Sequence, residues 1–287
     1  MTARPVRLDA PALSVVVDAD RGAKIVSLRE PDGLEWLAAA DPAHPAPPGA
    51  SFVDAEMAGW DECAPSIVAC EVAGVEVPDH GDLWDRPFLG VGDELVAEGA
   101  SFDYRFARSM RAIPGGVRFE YVAQARSTPV PFLWAAHPQF VAPPGTRVEL
   151  PGVTEVVDVL DPAEPLLPWT PALATIDTVS PGGCRKVYAA PSASARGARL
   201  VRADGRALEL RWSLACPYVG VWFDRTAYSR EPVIAIEPST GYFDSLATAV
   251  ERARVPVLDP GRALHWWVEV RPTRAAARRT GDGRRIV

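Results

Sequence analysis

Side chains able to move protons near neutral pH are scarce in this chain, and two of them stand in the same setting. His137 ends the apolar run VPFLWAAH and is followed by Pro138; Glu237 ends PVIAIE and is followed by Pro238. A residue before proline is pushed toward extended backbone, and proline cannot donate to a β-ladder. Each residue is therefore predicted where a strand stops pairing or reaches an edge, from which a side chain can point into a concave sheet face. Strand parity puts Glu237 on one face with Ala235 and Val233, and His137 with Ala135 and Leu133. Small or apolar neighbours leave room and lower the local dielectric, which tunes a pKa toward acid–base use. A third candidate, His80, lies in PDHGDLWDRPF, which by itself reads as a polar surface turn. The remaining two histidines are His44, in the proline-rich loop PAHPAPPGA, and His265, which opens the strand HWWVEV in a structural position.

One carboxylate and two imidazoles permit two chemistries. Two His and one Glu can hold zinc or non-haem iron. Such sites often draw two ligands from one short motif, whereas this chain has no His-x-His or His-x-x-x-His. The alternative is a base and an acid acting across one small substrate, which needs only two groups with separated pKa values, and the spacing favours it. A second polar cluster, GWDEC (Gly59–Cys63), presents Asp61 and Glu62 and by itself reads as turn acids.

The rest of the sequence describes the scaffold that must position these groups. The chain has 287 residues, 48% of them hydrophobic, ample for a sizeable core. Its 29 prolines and 22 glycines punctuate short runs such as LSVVVDAD, AKIVSL, GVRFEYVAQA, ALELRWSL and VGVWFD. Val117, Phe119, Tyr121 and Ala123 share one face of their run, as do Leu208, Leu210, Trp212 and Leu214 of theirs. This is the pattern of half-buried antiparallel sheet, and with almost no helix it predicts one large all-β sandwich over residues 1–272. The best helix is DSLATAVER (Asp244–Arg252), capped by Ser245 or Asp244. The arginine-rich residues 273–287 read as a frayed tail.

The formal net charge of −7 argues against nucleic acid as the main partner. No apolar run of about 18 residues predicts a membrane span, and the N-terminal stretch lacks the apolar segment of a signal peptide. Four scattered cysteines (Cys63, Cys70, Cys184 and Cys216) with no Cys-x-x-Cys read as reduced thiols of a cytoplasmic protein. Lys24 and Lys186 are the only lysines in an otherwise arginine-based set, which reads as a matter of source rather than of chemistry.

Several segments together resemble the aldose 1-epimerase (galactose mutarotase-like) family in its divergent bacterial branches. DRGAKIVSLREPDGLEWL resembles the family's opening hairpin, AGWDECAPSI its Gly-Trp-Asp-Glu-x-x-Pro segment, and PDHGDLWDRPF its Asp-His-Gly-x-x-Trp motif. FLWAAHPQF resembles the strand with the second family histidine, IAIEPSTGYFDS the strand with the family glutamate, and VLDPGRALHWWVEV the closing strand. The resemblance implies a twisted antiparallel β-supersandwich with a sugar site on its concave face. It implies Glu237 as general base on the C1 hydroxyl, His137 as general acid on the ring oxygen, and His80 as a hydrogen-bond donor stabilising developing charge. Trp84, Trp134 and Trp222 become candidates to stack on the sugar, and Asp61, Glu62 and Arg86 candidates to bind hydroxyls. No cofactor and no metal are required for proton transfer alone, and the expected partner is a small sugar, with the chain a monomer or homodimer. The Asn-Arg pair that the classical galactose mutarotases carry before the first histidine is replaced by GWDEC, and their Asn-His by Ala-His-Pro. A non-catalytic sugar-binding module on the same fold, and a metal-dependent β-sandwich enzyme, are the alternatives.

Overall fold

The computed structural model describes residues 5–40 and 50–274. Almost all regular structure there is antiparallel sheet. An 11-stranded sheet carries the candidate residues, an 8-stranded sheet packs against it, and two further two-stranded ribbons complete the set among the described residues. The middle of the larger sheet runs, in spatial order, through strands Lys24–Arg29, Trp60–Cys63, Ala135–Pro138, Val233–Ser239, Tyr218–Asp224 and Cys184–Ala189. These strands come from distant parts of the sequence, so sheet pairing, not local sequence, assembles the site.

Alternation does the sorting predicted for it. In Gly116–Ala125, Val117, Phe119, Tyr121 and Ala123 are buried between the sheets. There they meet an aromatic cluster in which Tyr121 stacks on Trp266 at 5.4 Å and Trp134 lies 4.7 Å from Tyr121. Burial of this apolar surface is the main stabilising term of the fold. In the ALELRWSL run the strand stops at Trp212, and Leu214, expected on the buried face, is 76% exposed. The parity argument fails there because the chain has already left the sheet.

The expected helix forms as Leu246–Glu251, with the Ser245 hydroxyl accepting from the Thr248 N–H. A second, four-residue helix, Phe52–Ala55, had no sequence signal. The closing strand, Leu264–Arg274, carries Thr273 and Arg274 into register with Ala207 and Arg206, so pairing runs two residues past the expected boundary. The rest of the tail and His44 lie outside the described residues. No helix among those described is long and apolar enough to cross a membrane.

Candidate functional site

The middle strands bring the predicted pair together. In the antiparallel register His137 lies opposite Asp61 and Glu237 opposite Gly220. His137 Nε2 stands 3.7 Å from Glu237 Oε1, although the two are far apart in sequence. Both are buried, with His137 3% exposed and Glu237 not at all. His80 completes the group, its ring 5.2 Å from that of His137.

Backbone geometry explains how the His80 loop reaches the sheet. Its N–H donates to Ile67 O and Asp82 N–H to Ala64 O, zipping the loop to the segment that follows Cys63. His80 takes a left-handed conformation (φ 58°), unusual for a side chain with a Cβ and the kind of local strain that concentrates at functional positions. Gly81 follows with φ 74°; a Cβ there would sit 2.0 Å from the Ala64 carbonyl oxygen, so only glycine fits. The Asp79 carboxylate, 2.9 Å from Nδ1, orients the His80 ring. Phe52, from the short helix, stacks on that ring at 3.7 Å and meets His137 edge-on at 5.5 Å.

The two lysines are the main functional residues that sequence reasoning missed. Lys186 Nζ lies 2.8 Å from Glu237 Oε2 and 2.8 Å from Asp244 Oδ1; Lys24 Nζ lies 3.0 Å from Asp61 Oδ2. Both ammonium groups are nearly fully buried. A signal was present: in a chain that otherwise uses arginine for positive charge, the only two lysines each place a compact ammonium beside a fully buried carboxylate. Gln139 was also missed, although it shares the His137 face by parity; its Nε2 is 3.1 Å from His137 Nδ1.

Electrostatics separate the pair. Burial pushes the Glu237 carboxyl up, to about 7, against the pull of Lys186. The Lys186 pKa is raised as well, because Asp244 and Glu237 together outweigh its own desolvation. The two shifts are compatible: one ammonium serves two carboxylates, so it is over-compensated while Glu237 receives only part of a counter-ion. Burial drives His137 well below its ordinary value, reinforced by His80, Lys186 and Lys24. Asp61 is raised by burial, with Lys24 opposing. Despite their ion pairs, neither oxygen of Asp61 nor of Glu237 accepts a well-directed hydrogen bond, and Gln139 Oε1 has no partner. Buried polar atoms are rarely left so, and a group of them facing one place marks where a hydroxylated ligand would complete the bonding.

The other candidate residues divide. Trp222, in register with Lys186 and Ala235, shares the site face. Trp84 packs edge-on against Phe52 at 5.1 Å and so stands one ring behind His80. Asp61 faces the site. Its neighbour Glu62 does not, because GWDEC is no turn: Trp60–Cys63 is a fully buried strand, and adjacent residues point to opposite faces. Glu62 enters the inter-sheet core, where it accepts from Arg108 at 2.5 Å, Trp134 Nε1 at 2.7 Å and Tyr121 at 3.3 Å. That same network removes Trp134 from the site, since it lies at opposite parity to His137. Arg86 is turned away as well: it donates to Glu98 O at 3.2 Å and lies 3.9 Å from Asp85. Asp82 accepts from Ala100, Ser101 and Tyr104 and holds the loop.

The metal grouping differs from the one the sequence allowed. Glu237 is engaged by Lys186, and among the described residues the cluster that could ligate an ion is Cys63, His80 and His137, whose ligand atoms lie within 4.8 Å of one another.

Comparison with known proteins gives the fold a context. No family model and no curated protein matches the sequence. Solved structures do match over nearly the whole chain. The Slr1438 protein of Synechocystis sp. PCC 6803 shares 15% identity at a TM-score of 0.76, covering 94% of this chain and 96% of its own. A galactose mutarotase-like protein of Lactobacillus casei shares 16% identity at 0.71, covering 94% and 100%. A galactose mutarotase related enzyme of Lactobacillus acidophilus shares 14% at 0.66, covering 94% and 97%. The chain has the galactose mutarotase-like sandwich fold.

Proposed function

We propose that this chain, built on the galactose mutarotase-like fold, interconverts the anomers of an aldose by proton transfer between Glu237, His137 and the sugar. The observation that carries the reading is the pairing of His137 Nε2 with Glu237 Oε1 at 3.7 Å, ringed by buried polar atoms that lack hydrogen-bond partners. That gap matches two groups serving the two oxygens on one anomeric carbon. One takes the proton of the C1 hydroxyl while the other protonates the ring oxygen, and the C1–ring oxygen bond breaks to the aldehyde. Rotation about C1–C2 and closure with the roles exchanged gives the other anomer.

The cycle needs one proton shared by the pair, and the opposite pKa shifts decide where it rests. With Glu237 raised and His137 lowered, the proton sits on Glu237 and His137 is a neutral imidazole. The base-and-acid roles expected from sequence are then those of one direction of the reaction; the other uses His137 as base and Glu237 as acid. Lys186 holds Glu237 in place through Oε2 and leaves Oε1 for chemistry. His80, oriented by Asp79, can donate to or accept from a sugar hydroxyl with its remaining nitrogen.

The test is anomer exchange measured by NMR on a panel of aldoses. Exchange above the buffer rate is expected for at least one sugar, falling by about 10²–10⁴ in Glu237→Gln. It should also decline as pH rises through about 7, where the pair loses its shared proton. Full-rate exchange in Glu237→Gln would end the reading. Sugar binding with no exchange would assign the site to a binding module instead.

A further inference from the structure

We propose that Cys63, His80 and His137 form a binding site for a borderline-soft divalent cation of the zinc type, which blocks the sugar site when filled. Their ligand atoms lie within 4.8 Å of one another. Zinc–sulfur and zinc–nitrogen bonds of about 2.3 and 2.0–2.1 Å put tetrahedral ligands about 3.3–3.6 Å apart. The ligand atoms must close by at most about 1–1.5 Å to reach that spacing. One thiolate and two imidazoles match zinc in charge and softness, with a fourth position left for water.

Three features of the surroundings support an ion rather than a chance cluster. Asp79 sits on His80 Nδ1 at 2.9 Å, which fixes the ring and leaves the other nitrogen free; carboxylate support of this kind is usual for a ligating histidine. Asp61, two residues before Cys63 on the same strand, is a fully buried carboxylate beside Lys24 whose oxygens accept no well-directed hydrogen bond. Cys63 is fully buried on the strand whose Asp61 is in register with His137, so the sulfur is held beside the imidazoles by sheet pairing. On binding, the thiol gives up its proton to solvent, the sulfur lone pair forms the metal bond, and no electron is transferred.

The cation site stands on these three ligands alone; its effect on anomer exchange rests on the function proposed above. Cobalt(II) reports the site directly, because a cobalt–thiolate bond adds a charge-transfer band. The full chain, stripped of metal and kept reduced, should take up one equivalent of cobalt with that band, and zinc should displace it. Cys63→Ser should abolish the band, and Asp79→Asn should weaken cobalt binding about 10–100-fold. If Cys63→Ser does not fold, His80→Asn provides the second test, with at least tenfold weaker binding expected. No band in the wild-type chain, a band that persists in Cys63→Ser, or unchanged affinity in His80→Asn would overturn the site. Where exchange is measurable, saturating zinc should suppress it in wild type and leave the Cys63→Ser rate the same with and without zinc. Equal suppression of both would overturn the block. Absence of exchange on every sugar would sink the catalytic reading while the cobalt band still decides the cation site.

Discussion

Asp61 and Glu62 are adjacent acids on one strand, both fully buried, and they lead opposite lives. Glu62 points between the sheets, where Arg108, Trp134 and Tyr121 satisfy both its oxygens. Asp61 points to the opposite face of the sheet, where Lys24 neutralises it but no well-directed hydrogen bond reaches either oxygen. The same holds for Glu237 with Lys186. The Nε1 atoms of Trp60, Trp212 and Trp266 are exceptions in the core, buried without a partner. A buried charge with its bonding complete locks a fold, and one with its bonding unfinished is ready for a ligand. Burial and charge alone do not tell the two apart; the hydrogen-bond inventory does.

The comparison can be broken most sharply from its two ends. His137→Gln should cut anomer exchange by about 10²–10⁴ while leaving the melting curve close to wild type, since a neutral imidazole is exchanged for a neutral amide. Glu62→Ala should do the reverse. It leaves Arg108 buried with only the Ala23 carbonyl, and removing one partner of a buried pair costs about 3–5 kcal/mol. Urea unfolding reads that loss. If His137→Gln unfolds the protein, or Glu62→Ala keeps full stability, the division into working and structural faces is wrong.

Which parts were legible in the sequence follows from the same geometry. Parity within a strand is local, so the shared faces of His137 with Ala135, of Glu237 with Ala235 and of Tyr121 with Phe119 could be read directly. Parity also carries the information that Trp134 opposes His137, which a choice of stacking candidates by residue type alone does not use. The strand at GWDEC was not legible, because its burial on both faces removes the alternation that marks a strand, and acids beside glycine and proline look like a turn. Lys24, Lys186 and Cys63 join the site only through long-range pairing. Their clue was composition, two lysines against a background of arginine, and it was read as a trait of the source.

A pH test sharpens the difference at Glu237. Its folded pKa is raised from 4.5 to about 7, so ionising it costs stability in the folded state. The stabilising contribution is complete below pH 4.5 and is lost as pH rises through about 7. His137 has the opposite sign. Its lowered pKa contributes stability above 6.5 that is lost as pH falls, so the raw curve mixes the two. The difference between Glu237→Gln and wild type isolates the carboxyl, and Lys186 keeps Asp244 as counter-ion in the variant. That variant should gain on wild type by up to about 3 kcal/mol between pH 4.5 and 7, read from urea midpoints. A flat difference would mean that Lys186 fully offsets the cost of burying the Glu237 charge.

The smallest effects test two tryptophans, Trp134 and Trp222. Trp134→Phe keeps the ring and removes the donor to Glu62 Oε2, so a buried carboxylate oxygen loses its partner; hydrogen bonds to charged groups contribute about 1.5–3 kcal/mol. The loss should appear in stability, with KM for the sugar unchanged. Trp222→Phe removes an indole N–H that is buried without a partner, so the free protein loses no hydrogen bond by it. Its effect should appear only with sugar bound, as a KM raised by up to about tenfold, the measure of one neutral hydrogen bond at about 0.5–1.5 kcal/mol. Were Trp134→Phe to raise KM and Trp222→Phe to lower stability, the sugar would have to be sought between the sheets rather than on the face that carries His137 and Glu237. That would move the site across the Trp60–Cys63 strand, from the Asp61 side to the Glu62 side.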